Sequence, residues 1–239
     1  MRIDKLLAHS GFGTRKEVKK LLKSKLVWVN EEPVTDPKVH VNPEEDEIAV
    51  GGEPVHYQEF VYFMMNKPQD VISATEDVYH HTVIDLLEPQ DSIQEPFPVG
   101  RLDIDTEGFL LLTNDGALAH QLLSPKKHVD KVYEAVVDGI VTEADKEAFA
   151  KGVTLDDGYE TLPAELEILS VDEEAGQSHT RLTIHEGKFH QVKRMFEAVG
   201  KEVTHLTRIS MGPLELDPAL ELGQYRALTK EEISLLKGE

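Results

Sequence analysis

The 239-residue sequence predicts an α+β protein of two domains. Three observations carry that expectation. Stretches with a helical apolar period, such as Val18, Leu21 and Leu22, are interspersed with short apolar or alternating runs, such as 109–112 and 131–137, that read as strands. Gly51-Gly52-Glu53-Pro54 punctuates the chain where a small module would end. Charge is divided unevenly as well: residues 1–28 hold eight Lys and Arg against Asp4 and Glu17, a balance of +6, so the remainder carries −26 of the total −20. The expected division is a head over 1–50, a linker over 51–59 and a second domain over 60–239.

In the head, Ile3, Leu6 and Leu7 have helical spacing, and Gly11-Phe12-Gly13 ends that helix. Thr14 and Glu17 form the T-x-x-E pattern of a capping box for a second helix. Its apolar stripe leaves Lys16, Lys19, Lys20 and Lys23 on the other side. A hairpin follows, 26–30 and its return from Pro33, and a last short strand lies over 48–50. A basic head on an acidic body is the asymmetry expected when contact with a polyanion is localised, and Arg2, Lys5, Arg15, Lys16, Lys19, Lys20 and Lys23 are the candidate phosphate contacts.

In the second domain, strands are expected at 60–65, 109–112, 131–137, 164–170, 180–185, 203–209 and 214–216. Helices are expected at 82–87, from Ala117, at 142–151, over the stretch that 186–196 opens with Phe189, Val192, Phe196 and Val199 inward, and at 231–237. Asp115 is placed to cap the helix that starts near Ala117.

Composition sets outer limits. With 40% hydrophobic and 29% charged residues the chain reads as an ordinary globular protein, and no apolar run approaches a membrane span. Met1-Arg-Ile-Asp-Lys5 lacks a signal-peptide core, so a cytoplasmic location is the expectation. The absence of Cys excludes disulfides, thiol catalysis and cysteine-based zinc sites. His185-Glu186 begins like H-E-x-x-H, but Phe189 stands at the fifth position and His190 comes one place late, so no metal site is expected. His80-His81 would point to opposite faces of a strand.

The chain is organised around Gly100-Arg-Leu-Asp-Ile-Asp-Thr-Glu-Gly-Phe-Leu-Leu-Leu-Thr-Asn-Asp-Gly116, a loop with two acids followed by a strand buried on two faces. This string resembles the catalytic motif of the rRNA pseudouridine synthases, G-R-L-D-x-x-T-x-G-L-L-L-L-T-N-D-G, with Phe109 for a leucine. Three further stretches resemble motifs of the same family: Asn66-Lys67-Pro68, with Asp70 where a glycine is usual; Lys131-Val-Tyr133; and Glu186-Gly-Lys-Phe-His-Gln-Val-Lys-Arg-Met195. The head resembles the small RNA-binding module named after ribosomal protein S4, with Lys25 and Glu31 where glycines are usual.

The resemblance implies a small α/β RNA-binding domain plus a larger catalytic domain, the latter a mixed, mainly antiparallel sheet flanked by helices. It implies Asp103 as the catalytic carboxylate, Tyr133 in the active site and Lys193 as the cation that pairs with Asp103, with Arg194 the alternative and otherwise an RNA contact. Arg101 would fill the gap left by an extruded uridine or hold a phosphate. Asp105 and Asp115 fall at positions without a chemical role. Uridine isomerisation involves no redox change and no external group, so no cofactor is expected. The partner implied is rRNA, and the text around Tyr133 and over 222–233 is most similar to the small-subunit branch of the family. A large-subunit uridine is the runner-up, and a monomer is expected. The competing class is a non-catalytic, rRNA-binding assembly factor, against which an intact Asp103 with its two partner residues speaks.

Overall fold

The computed structural model describes residues 1–238, which separate into two compact units. The first comprises Met1–Val61 together with Leu87–Pro96; the second comprises Tyr62–Leu86 and the described chain from Phe97 onward.

The first unit begins with α1 (Ile3–His9) and α2 (Arg15–Lys23). The capping box closes as its sequence suggests: Thr14 N donates to Glu17 Oε2 at 2.7 Å and Glu17 N to Thr14 Oγ1 at 3.3 Å. Strands β1 (Val27–Val29), β2 (Glu32–Pro33), β3 (Ile48–Val50) and β4 (Glu53–Pro54) pair antiparallel in the order β2-β1-β3-β4. Ile3, Leu6, Leu7, Val18, Leu22 and Val27 are fully buried between the helices and this sheet. The 51–59 stretch, read from sequence as a linker, instead contributes β4, and Val55 and Tyr57 pack against the same core. Gly51-Gly52 is a turn between paired strands; glycine punctuation marks a chain reversal wherever it falls. A short helix, α3 (Pro89–Ser92), also belongs to this unit, and Gln94 Nε2 donates to His9 O at 2.5 Å.

Strands β1 and β2 are joined by Asn30-Glu31, at φ 50° and 66°, the two-residue loop with both residues left-handed that the right-handed strand twist favours. Lys25, at φ 61°, holds the turn before β1. The residues that replace the usual glycines therefore keep a glycine geometry.

The second unit holds β5 (Tyr62–Lys67), β6 (Phe97–Pro98), β7 (Glu107–Thr113), α4 (Gly116–Leu123), β8 (Lys131–Asp138), α5 (Glu143–Lys151), β9 (Glu165–Asp172), β10 (Gln177–Ile184), α6 (Gln191–Ala198), β11 (Glu202–Met211), β12 (Leu214–Glu215), β13 (Tyr225–Ala227) and α7 (Lys230–Lys237). These strands form one nine-stranded sheet, β13-β5-β7-β11-β8-β10-β9, with β6 on β7 and β12 on β11. Its pairs are antiparallel except β7 with β11, which makes the sheet mixed and mainly antiparallel. The chain is thus α+β, as its patterning predicts.

β7 lies between β5 and β11, and Phe109, Leu110, Leu111 and Leu112 are all at most 1% exposed. An uninterrupted apolar run suits a strand covered on both faces. Gly108 lets β11 approach: at φ 104° it pairs with Arg208, and a Cβ there would lie 2.2 Å from the Arg208 carbonyl oxygen. Asp115 caps α4, accepting from Leu118 N at 3.0 Å and from the Tyr62 hydroxyl at 2.8 Å, a structural duty.

Two local expectations are corrected. Residues 82–87 form turns and not a helix: Asp85 Oδ2 accepts from Thr82 N at 2.7 Å, and Thr82 bridges Ile72. A cap-like bond closed on so short a segment satisfies the backbone as a turn. His80 and His81 lie outside any strand, in a bend where Asp77 Oδ1 accepts from Tyr79 N and His80 N, each at 2.8 Å.

The left-handed substitutions give a direct test of backbone strain. Relieving a Cβ in that region is worth about 1 kcal/mol, so Glu31→Gly is expected to raise unfolding stability by about that amount in urea titrations. A loss of stability would show that the Glu31 side chain makes up the strain elsewhere.

Candidate active site

The loop that precedes β7 is held from below by one side chain. Lys67 ends β5, pairs with Gly108 in the neighbouring strand and is fully buried. Its Nζ donates to Pro68 O at 2.9 Å, Asp103 O at 3.1 Å, Thr106 O at 2.9 Å and Ile104 O at 3.4 Å. Ser73 Oγ donates to Leu102 O at 3.1 Å and accepts from Leu102 N at 3.0 Å. Asp70, left-handed at φ 62°, donates its N–H to Ile104 O at 2.9 Å, and Thr106 N closes the loop on Asp103 O at 3.0 Å. Asp70 thus preserves the turn that a glycine would make. With its backbone pinned, the loop presents the Asp103 side chain to a cavity of about 320 Å³.

Two side chains from the start of α6 face that carboxylate. Lys193, in the first turn of α6, lies 3.5 Å from Asp103 Oδ2, and His190 Nε2 lies 3.4 Å from Oδ1. Lys193 also sits 2.6 and 2.8 Å from the two oxygens of Asp105, so its tighter partner is Asp105 and the expected pair is a triad. Burial pushes the Asp105 carboxyl up, but the Lys193 hydrogen bond and charge outweigh it and hold the group below the usual carboxylate range. His190, the residue before α6, is left-handed at φ 48°, and its ring stacks on Phe189 at 3.7 Å between centroids. The loop before it is fixed by Glu186, which accepts from Tyr159 Oη at 2.6 Å, Leu162 N at 2.8 Å and Gln191 Nε2 at 2.8 Å.

The cavity floor is sheet. Tyr133 and Lys131 from β8, Leu206 and Arg208 from β11, and Ile184 from β10 line it, and Tyr133 is 8% exposed. Arg101 is exposed at the same cavity and has no side-chain partner among the described residues.

The other sequence candidates divide. Arg194, one residue past Lys193, turns to Asp156 and Asp157, with Nη2 at 2.5 and 2.7 Å from their oxygens, and makes no contact with Asp103. In the first unit, Arg2 is tied to buried Asp4 at 2.7 and 3.0 Å. Lys5, Arg15, Lys16, Lys19, Lys20 and Lys23 are exposed. Sequence reasoning assigned no part to Lys67, His190, Asp105 or Arg208. Lys67 was visible in Asn-Lys-Pro at a strand end, where a lysine closing a buried run signals a bonded ammonium; the others depend on tertiary placement.

Comparison with known proteins places this geometry in a family. Residues 61–198 match the family model described as RNA pseudouridylate synthase, and residues 1–48 match that of the S4 domain. The chain is 56% identical to the uncharacterised RNA pseudouridine synthase YtzG of Bacillus subtilis (strain 168), over 99% of this chain and 98% of that protein. It is 42% identical to ribosomal small subunit pseudouridine synthase A of Vibrio vulnificus (strain CMCP6), covering 98% of each. It is 41% identical to ribosomal large subunit pseudouridine synthase B of Bacillus subtilis (strain 168), covering 99% and 95%. A crystal structure of a pseudouridylate synthase superposes with a TM-score of 0.69 at 37% identity, over 99% of each chain. The chain belongs to the RNA pseudouridylate synthase family, and it is a pseudouridine synthase with an N-terminal S4 domain.

Proposed function

We propose that the protein isomerises a uridine of ribosomal RNA, in the small subunit, with Asp103 as the nucleophile. The observation that carries this reading is the Asp103 carboxylate, held on an anchored loop between Lys193 and His190 at the mouth of a cavity that Tyr133 helps to wall. The reaction breaks the N1–C1′ bond, turns the base and joins C5 to C1′. A carboxylate can trap C1′, as in retaining glycosidases, or add to C6; a third route removes the C2′ proton. Each needs the Asp103 carboxylate as a base or nucleophile. Tyr133 is placed to stack on the base or to take part in moving the C5 proton. The uridine must leave its stack to enter the cavity, and Arg101 at the rim is placed to fill the space it leaves. The exposed cations of α2, on the S4 domain, supply phosphate contacts.

Small-subunit rRNA is supported by the similarity to small-subunit synthase A and by the text over 222–233. A large-subunit uridine is the second reading, favoured by the nearly equal identity to large-subunit synthase B. We read the protein as a monomer acting in the cytoplasm.

Asp103→Asn keeps the side-chain shape but removes the anion. Turnover on transcribed small-subunit rRNA is expected to fall at least about 10³-fold, about 4 kcal/mol of barrier, with RNA affinity and melting temperature retained. Asp105→Asn, which loosens Lys193 without removing the nucleophile, is expected to stay within about tenfold of wild type. Product from folded Asp103→Asn at the wild-type rate refutes the mechanism. Product from the wild type on large-subunit rRNA alone selects the second reading.

Lys67 supplies a pH dependence. Burial lowers its pKa from 10.5 to about 8, against the pull of Asp105, Asp103, Glu107 and Asp70. The ammonium has three hydrogens to share among Pro68 O and the loop carbonyls, and the neutral amine only two. The folded-state pKa lies below the unfolded value, so between the two the unfolded chain binds the proton more tightly, and this group's contribution to stability rises with pH. The rate is therefore expected to fall through an alkaline limb near pH 8 while the protein remains folded in melts. A rate flat to about pH 9.5 contradicts the assigned role.

A further inference from the structure

The cavity holds a second cationic group that the chemistry above leaves unused. Arg208 is 2% exposed, lines the cavity, and stands opposite Tyr133 in the β8–β11 register. Its Nε donates to Phe109 O at 2.9 Å, while its Nη2, also buried, has no hydrogen-bond partner among the described residues. A buried guanidinium normally has a carboxylate or a full set of acceptors, because leaving such a charge unpaired is strongly unfavourable. Here no described carboxylate forms an ion pair with it. Lys131 lines the same cavity two residues before Tyr133, and its Nζ donates only to Val129 O, at 3.1 Å. Burial and then the Arg208 charge push the Lys131 ammonium below its ordinary value, with Asp130 and Glu186 pulling the other way. Two cations therefore share a floor that the sheet has drawn together, and neither makes an ion pair among the described residues.

We propose that Arg208, with Lys131 beside it, is a catalytic residue that stabilises the detached uracil as an anion. This rests on the reading of the site as a uridine isomerase. When N1–C1′ breaks, the bonding electron pair leaves with the base, and its charge spreads over N1, O2 and O4. C1′ is meanwhile held by the Asp103 carboxylate, or the sugar has lost its C2′ proton. Donors fixed where that charge appears lower the barrier, since they are oriented before the reaction. The anion then attacks C1′ through C5, displacing the Asp103 carboxylate from C1′ or, on the other route, with the proton returned to C2′; the C5 proton departs to a base and N1 takes up a proton, so the overall change is an isomerisation. A guanidinium also reaches base oxygens whichever way the ring is turned, which suits a base that must rotate in place. The competing ligand for these cations is an RNA phosphate. Depth argues against it: Arg208 is almost fully buried beneath a cavity of about 320 Å³, whereas the strand's phosphates pass outside.

The test uses the full-length protein and small- and large-subunit rRNA transcripts, measuring single-turnover rate, RNA affinity and melting temperature for Arg208→Gln, Arg208→Lys and Lys131→Gln. Charge that develops only in the reaction is expected to appear in rate and not in binding. Arg208→Gln should lose about 100-fold or more in rate with RNA affinity within about twofold, and Arg208→Lys should recover about tenfold of that loss. Lys131→Gln should lose about tenfold. A folded Arg208→Gln enzyme at the wild-type rate overturns the proposal, as does equal loss in the Gln and Lys variants. Weakened RNA binding with an unchanged rate overturns it in favour of a phosphate site. Arg208 also bridges to β7, so if Arg208→Gln does not fold, Lys131→Gln decides, and an unchanged rate there overturns the paired site. Should the wild type form no pseudouridine on either rRNA, the functional reading itself fails; an active wild type beside active variants removes only this inference.

Discussion

The ammonium of Lys67 is the interaction on which the site depends. Fully buried, it would be strongly destabilising without partners. Four carbonyl oxygens, three of them from the loop that carries Asp103, provide those partners. The dependence runs both ways, because carbonyls turned inward at an irregular loop also need a donor. Antiparallel pairing of β5 with β7 makes the arrangement possible: it sets the last residue of one strand beside the start of the other, where the loop ends. The nucleophile candidate therefore rides on a loop whose backbone is fixed by the sheet.

What the sequence disclosed and what it withheld follow from the range of the interactions. β7 was legible because four consecutive apolar residues have one economical placement, between two other strands. The capping box at Thr14 and the cap at Asp115 were legible because both are closed within three residues. The helix expected over 82–87 was not, since a local bond from Thr82 N to Asp85 competes with helix formation in so short a segment. The extent of the first unit was hidden for another reason. Gly51-Gly52 signals a turn, but only pairing with β3 shows that the turn leads to one more strand.

The site shows the same division. Asp103, Tyr133 and Lys193 are legible in motif text; Asp103 and Tyr133 line one cavity, and Lys193 lies 3.5 Å from Asp103. Their partners were not legible. Asp105 holds Lys193 more closely than Asp103 does, because the loop brings both carboxylates to the first turn of α6. His190 reaches Asp103 only through its left-handed backbone. Arg208 is distant in sequence from every motif acid and arrives through β11, against Gly108.

Electrostatics connects the two scales. Outside residues 1–28 the chain carries −26, which disfavours indiscriminate contact with RNA. Against that background the cavity is lined by Arg101, Lys131, Lys188 and Arg208, so cationic side chains are gathered where a uridine would enter. The central claim is that this cavity isomerises an rRNA uridine through Asp103. Mapping pseudouridine across both rRNAs from cells that lack the protein, carry it, or carry Asp103→Asn tests this most directly. The account predicts a small-subunit position that loses pseudouridine without the protein, regains it with the wild type and stays unmodified with Asp103→Asn. An rRNA unchanged by removal of the protein, or a position restored by Asp103→Asn, would contradict it.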